Sequence, residues 1–174
     1  PLTFETETET ENGMITAGIY IKDESAICFS STDASGMNSR NIYMDGKIYM
    51  IFDEDKVIYE KDTTNDIIKD VVEENLLKIN INDATAMTYK TSNEPVYYND
   101  VLYKHEAIYS TPDTGTNYYY DTNTDDLVYI VYGDSVAKVI RLNNEVSENA
   151  FTIPQGYEIK DMEEYFAKLE AEQA

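Results

Sequence analysis

The 174 residues amount to about one domain, and 42% of them are apolar, enough for a core although 27% are charged. Lys and Arg total 13 against 34 Asp and Glu, a formal net charge of −21. That excess argues against nucleic acid, which proteins bind through clustered basic side chains, and against flat docking on an anionic bilayer. The single cysteine, Cys28, leaves no internal disulfide or Cys-based zinc cluster, and no apolar run approaches the roughly 18 residues that span a membrane.

Period-2 patterning dominates the first third of the chain. In residues 2–11, Thr6, Thr8 and Thr10 alternate with Glu5, Glu7, Glu9 and Glu11, which predicts a strand with a glutamate row facing solvent and discouraging edge pairing. Asn12-Gly13 is a hairpin signal, and the following strand, 14–22, carries Ile15, Ala17, Ile19 and Ile21 on one side. Turns at Lys22–Ser25, Thr32–Gly36, Asp45-Gly46 and Asp53–Asp55 then separate strands at 26–30, 38–44, 47–52 and 56–61. Six short strands joined by turns predict an antiparallel meander.

Segment 64–78 changes period. Ile67, Ile68, Val71, Val72 and Leu76 fall on one helical face, and Thr63 with Asp66 approximates a capping box. Strands resume at 84–91, 96–109 (bent near Asn99-Asp100), 116–121, 127–132 and 135–142. Val146–Tyr157 reads as extended but irregular. A short C-terminal helix follows, with Asp161 and Glu164 as a capping pair and Met162, Tyr165, Phe166 and Leu169 on one face. Pro and Gly never cluster as in a linker, so residues 1–174 read as a single domain.

Several strands are apolar on both rows, unlike those of a half-solvated sheet. Ile48, Met50 and Phe52 oppose Tyr49 and Ile51, and Leu127, Tyr129 and Val131 oppose Val128, Ile130 and Tyr132. Two apolar faces need cover, and with two predicted helices it is to come from the sheet curling on itself, from helices on one face or from a ligand in the hollow. Strand parity nominates Ile19, Ile21, Ile27, Phe29, Tyr49 and Ile51 as the lining of a hydrophobic hollow.

No pattern fixes a reaction, and the chain reads as a non-enzyme without a cofactor. His105 is the sole histidine and Glu106 points to the opposite face of its strand, so the pair lacks the geometry of an oriented base. Cys28, between Ile27 and Phe29, reads as a small buried hydrophobe. Asp121-Thr122-Asn123-Thr124-Asp125 begins like a calcium loop, but Asp126 stands at the glycine position and Tyr132 at that of the bidentate glutamate. A hairpin loop built on Asx turns accounts for it. Ten tyrosines fall in predicted strands (43, 49, 59, 103, 109, 118–120, 129 and 132), where their flat bodies and hydroxyl tips suit cross-strand pairs or a cavity wall. Met14, Met44, Met50 and Met87 add adaptable apolar surface.

Four segments together resemble the LolA-like secreted lipoproteins of Gram-positive bacteria, relatives of the outer-membrane lipoprotein carrier. They are Tyr43-Met44-Asp45-Gly46-Lys47-Ile48-Tyr49-Met50, Val101–Glu106, Tyr118-Tyr119-Tyr120-Asp121 with Leu127-Val128-Tyr129, and Phe151-Thr152-Ile153-Pro154-Gln155-Gly156-Tyr157. The resemblance implies an α+β, mostly β fold: a curved antiparallel sheet forming an incomplete barrel, with a central helix and a short C-terminal helix packed on it. It implies a lipid acyl chain or other hydrophobic small molecule in the hollow, and an extracytoplasmic protein that is secreted or tethered through an N-terminal anchor. That family usually begins with a long helix where this sequence begins almost in a strand, so either the helix lies upstream or the cavity is more open, and an anchor is expected only upstream. Sixteen tyrosines without tryptophan, and only two arginines (Arg40 and Arg141), also suit an extracytoplasmic setting. The alternative expectation is a cell-envelope protein-interaction module with a filled core and no ligand.

Overall fold

In a computed structural model, the structure describes residues 1–79, 90–92, 94–111 and 114–172. Strands β1 (Leu2–Thr10), β2 (Gly13–Asp23), β3 (Ala26–Thr32), β4 (Asn38–Met44), β5 (Lys47–Phe52) and β6 (Val57–Asp62) form the predicted meander. Helix α1 (Asn65–Ile79) is followed by β7 (Lys90–Ser92), β8 (Val96–Tyr98), β9 (Val101–Thr111), β10 (Thr114–Tyr120), β11 (Leu127–Tyr132) and β12 (Ser135–Asn143). A 3-10 turn (Glu148–Phe151), β13 (Glu158–Asp161) and α2 (Met162–Glu172) end the described chain. Most of the strand expected at 84–91, with Met87, lies outside the described residues.

The thirteen strands among the described residues belong to one open sheet. Its path is β13-β6-β5-β4-β3-β2-β1-β12-β11-β10-β9-β7, with β8 paired to β9 off that path. The sheet is therefore two meanders joined where β1 pairs with β12. Far from being an edge, β1 is hydrogen-bonded on both sides. The sheet is antiparallel except at one end, where β13, absent from the sequence reading, runs parallel to β6. Asn99-Asp100, expected as a bend, is a complete two-residue turn with φ of 48° and 63°, and it separates β8 from β9. Asp45-Gly46 makes a like turn with φ of 52° and 70°, the left-handed pair that matches strand twist and favours glycine at its second position.

Hydrogen-bond register divides the side chains between two faces. On the first face Ile21, Ile27 and Val72 form a core with Leu2, Ile19, Phe29, Tyr43 and Val71, so α1 packs over β2–β4. Thr64 rather than Thr63 caps α1, its Oγ1 accepting from the Ile67 N–H at 3.3 Å. The buried stripe is narrower than the periodicity suggested. Ile68 and Val72 are buried, whereas Ile67 and Leu76 are exposed. α2 packs on the same face farther along, with Tyr165 against Phe52 and Tyr59 at ring distances of 5.5 and 5.1 Å. Asp161 caps it by accepting from the Glu163 N–H at 2.8 Å.

The second face of the same meander is covered by coil. Cys28, Ile42, Ile51 and Ile58 pack with Phe151, flanked by Val146, Ile153 and Tyr157. Residues 145–157 are pinned there by side-chain bonds. The buried Thr3 hydroxyl donates to the Glu145 carbonyl at 2.6 Å, Arg40 Nη1 to the Thr152 carbonyl at 3.2 Å, and the Tyr157 hydroxyl to Asp53 at 3.1 Å. Burial pushes the Cys28 thiol up to about 11, so it stays protonated and packs as a hydrophobe, as its neighbours in the sequence suggested.

Candidate functional site

The second meander has no helix over its first face among the described residues. Phe4 is opposite Ile19 in the β1–β2 ladder and so shares the face of α1; its other neighbour, Leu142, continues that face onto β12. Beyond Leu142 the face carries Val139, then Ile130 and Val128 on β11, and Tyr120 on β10. These residues line an open groove of about 500 Å³. A shift of register between Glu5 and Thr6 leaves Ile140 unpaired in β12, and at this bulge the residue, 45% exposed, borders both this groove and a cleft on the opposite face. Large apolar side chains so open to solvent are unlike those under α1, which makes this groove the candidate site.

The groove is closed at one end by the β10–β11 loop, which brings Asp125 and Asp126 to its lining. Asp121 organises the loop. Its Oδ1 accepts from the N–H groups of Asn123 (2.7 Å) and Thr124 (3.0 Å), and those bonds hold its carboxyl below the usual carboxylate range. The Asx-turn loop expected from Asp121–Asp125 is thus present. Lys104 pairs with Asp125. Beside the groove the Tyr120 hydroxyl donates to Glu106 Oε2 at 3.2 Å, and burial together with that carboxylate raises the phenol well above its ordinary value.

The opposite face of the same strands is aromatic. Tyr98, Tyr103, Tyr119 and Tyr129 interlock with ring distances between 4.9 and 6.0 Å. His105 stacks on Tyr119 at 5.2 Å, with Nε2 2.9 Å from the Asn117 side-chain oxygen, so it is a member of this patch. Glu106 faces the other way, as strand parity requires. A polar cleft on that second face, about 360 Å³, is bordered by Glu5, Tyr20, Ser30, Arg40 and Asp53. Its groups are mutually engaged: Tyr20 donates to Glu5 at 2.8 Å, Arg141 approaches Glu5 at 3.4 Å, and Arg40 lies 3.9 Å from Asp53. No group of three or more His, Cys, Asp or Glu side chains is arranged for a metal ion among the described residues.

The six residues nominated from sequence do not share a lining. Ile19, Ile21, Ile27 and Phe29 lie on the α1 face, inside the filled core beneath that helix. Tyr49 and Ile51 lie on the other face, against Cys28 and Phe151. The reason is the two-residue loop at Asp45-Gly46, which pairs Tyr43 with Ile48 and so exchanges odd and even rows between β4 and β5. None of the six borders the groove. Its actual wall was signalled by the double apolar rows of β11, although Phe4 was hidden within the Thr/Glu alternation.

No family model matches this chain, nor does any curated protein sequence. Among solved structures it is similar to an uncharacterised conserved protein from Thermus thermophilus, at 8% identity, with a TM-score of 0.53, over 92% of this chain and 89% of that one. At that identity the likeness shows the fold, a mostly β open sheet with one mid-chain and one C-terminal helix, and carries no activity with it. No helix among the described residues is long and apolar enough to cross a membrane.

Proposed function

We propose that this protein is a non-enzymatic, extracytoplasmic binder of a hydrophobic ligand, a lipid acyl chain or similar molecule, in the manner of the LolA-like lipoproteins its hairpins resemble. The observation that carries the reading is the solvent-open apolar groove between Phe4 and Tyr120, about 500 Å³ in a sheet whose other half is packed on both faces. Its size falls within the range of about 300–1,000 Å³ common for small-molecule pockets. Each methylene buried there contributes about 0.8 kcal/mol before the costs of association, so affinity needs no polar anchor.

The test is binding of the uncharged fluorescent probe N-phenyl-1-naphthylamine, alongside native mass spectrometry of protein purified without detergent. Saturable probe binding that Ile130→Asp weakens at least about tenfold, by placing an unpaired carboxylate in the groove, supports the reading. Absence of both a bound probe and a co-purified apolar molecule overturns it. The filled core beneath α1 favours the second reading, an envelope protein-interaction module, and that reading gains if the groove proves inert.

A further inference from the structure

We infer that the groove selects its guest by head charge, taking a single alkyl or acyl chain whose head is cationic and rejecting one that ends in a carboxylate; this rests on the apolar-chain reading above. The groove is chemically asymmetric. Its floor from Leu142 to Val128 is apolar, and its ionised groups at the β10–β11 end are Asp125 and Asp126. The loop holds both in place, since the Asp121 N–H donates to the Asp126 carbonyl at 2.9 Å and the Asp125 N–H to the Asp121 carbonyl at 3.1 Å. Lys104 offsets Asp125, whereas Asp126 has no ion-pair partner among the described residues. The cation in the lining, Arg141, is already engaged by Glu5. An amphiphile whose tail lies along the apolar floor therefore places its head beside uncompensated negative charge. The formal net charge of −21 adds a field of the same sign.

Competition against bound N-phenyl-1-naphthylamine separates the possibilities. Dodecyltrimethylammonium and dodecanoate share a chain length and differ in head charge, and both are used below micelle formation. The trimethylammonium compound is expected to displace the probe at about tenfold lower concentration, as one or two unit-charge interactions across several ångströms of wet surface imply, with the gap shrinking in about 0.5 M salt. The double variant Asp125→Asn/Asp126→Asn should bring the two potencies together, and Asn tolerates the positive φ of 64° at position 125. Glu11→Gln/Asp33→Asn removes the same charge elsewhere and should leave the gap open. Equal potency of the two detergents on the wild-type chain, or equal narrowing by both double variants, overturns head selection at this loop while leaving the apolar-chain reading intact. Loss of that reading shows separately, as no probe binding at all.

Discussion

The two meanders are built from the same kind of strand and end in different states. In β2–β6 each face carries a packed core, one covered by α1 and α2 and the other by the coil of residues 145–157. In β9–β12 the buried apolar residues among those described are Ala107 and Ile108, both on β9, while Ile140, Leu142 and Tyr132 are exposed. Two-faced apolar strands thus require cover, and among the described residues that cover is concentrated on one meander. The covered half carries the packed cores, and the other half presents the open groove.

The largest effect expected from this contrast is in the covered half. Ile51 is fully buried against Ile42, Ile58 and Phe151. Ile51→Ala should lower stability by about 2–5 kcal/mol, read as a drop in urea midpoint at unchanged slope. Leu142→Ala, at a side chain 42% exposed, should cost about 1 kcal/mol or less and act on probe binding instead. Equal destabilisation by the two would mean that the second meander is as tightly covered as the first.

A second test lies inside the less covered half. Gly115 is paired with Tyr109 across β9 and β10, and the tyrosine ring lies over the glycine so closely that an added Cβ would stand 2.6 Å from Cδ1 and 3.1 Å from Cγ. Because Cγ sits near the ring's root, the ring must swing away as a whole. Gly115→Ala should therefore destabilise by about 1–3 kcal/mol, most of it recovered when combined with Tyr109→Ala. Additive effects in the double variant would show that the glycine is needed for its backbone and not for the ring.

Much of this architecture was legible because it depends on local rules. Alternating rows and Asn-Gly or Asp-Gly turns placed β1–β6 within a few residues, and the 3.6-residue period placed α1. Three features were not legible, each for a physical reason. β13 is held by a parallel ladder to β6, a long-range pairing that no local pattern encodes. The row assignments of β5 were inverted because a two-residue turn swaps parity, which separated Tyr49 and Ile51 from Ile19 and Ile27. The groove combines residues from β1, β10, β11 and β12, and it exists because β1 and β12 pair across the whole length of the chain. The excess of apolar rows in β11 pointed to missing cover without saying which face lacked it.

Alkaline pH gives a smaller effect that is local to the groove edge. Burial and the Glu106 carboxylate raise the Tyr120 phenol in the folded chain, and burial likewise raises that of Tyr118. Folding favours the protonated phenols, so their contribution is complete below the unfolded value of about 10 and fades as pH rises through the folded values. Absorbance titration should show these tyrosines ionising late, and Tyr120→Phe should remove one of the late steps. Early ionisation of all sixteen would mean that this edge is open to water.

The smallest effect is on the acid side, in the loop that closes the groove. Asp121 accepts two backbone N–H bonds as a carboxylate, and these hold its folded pKa below its unfolded value of about 3.9. Its contribution is then present above that unfolded value and is lost as pH falls through the folded one. Asp121→Asn keeps an oxygen acceptor but removes the charge, so it should lower the melting temperature slightly near neutral pH and flatten the decline below about pH 4. Because the loop is solvent-exposed, the sharper readout is hydrogen exchange at the Asn123 and Thr124 amides, which should quicken in the variant while Ile51 and its neighbours keep their protection. If amides in both meanders quickened together, the loop would be part of the cooperative core, and the division between a covered half that carries the packed cores and a half that presents an open groove would have to be abandoned.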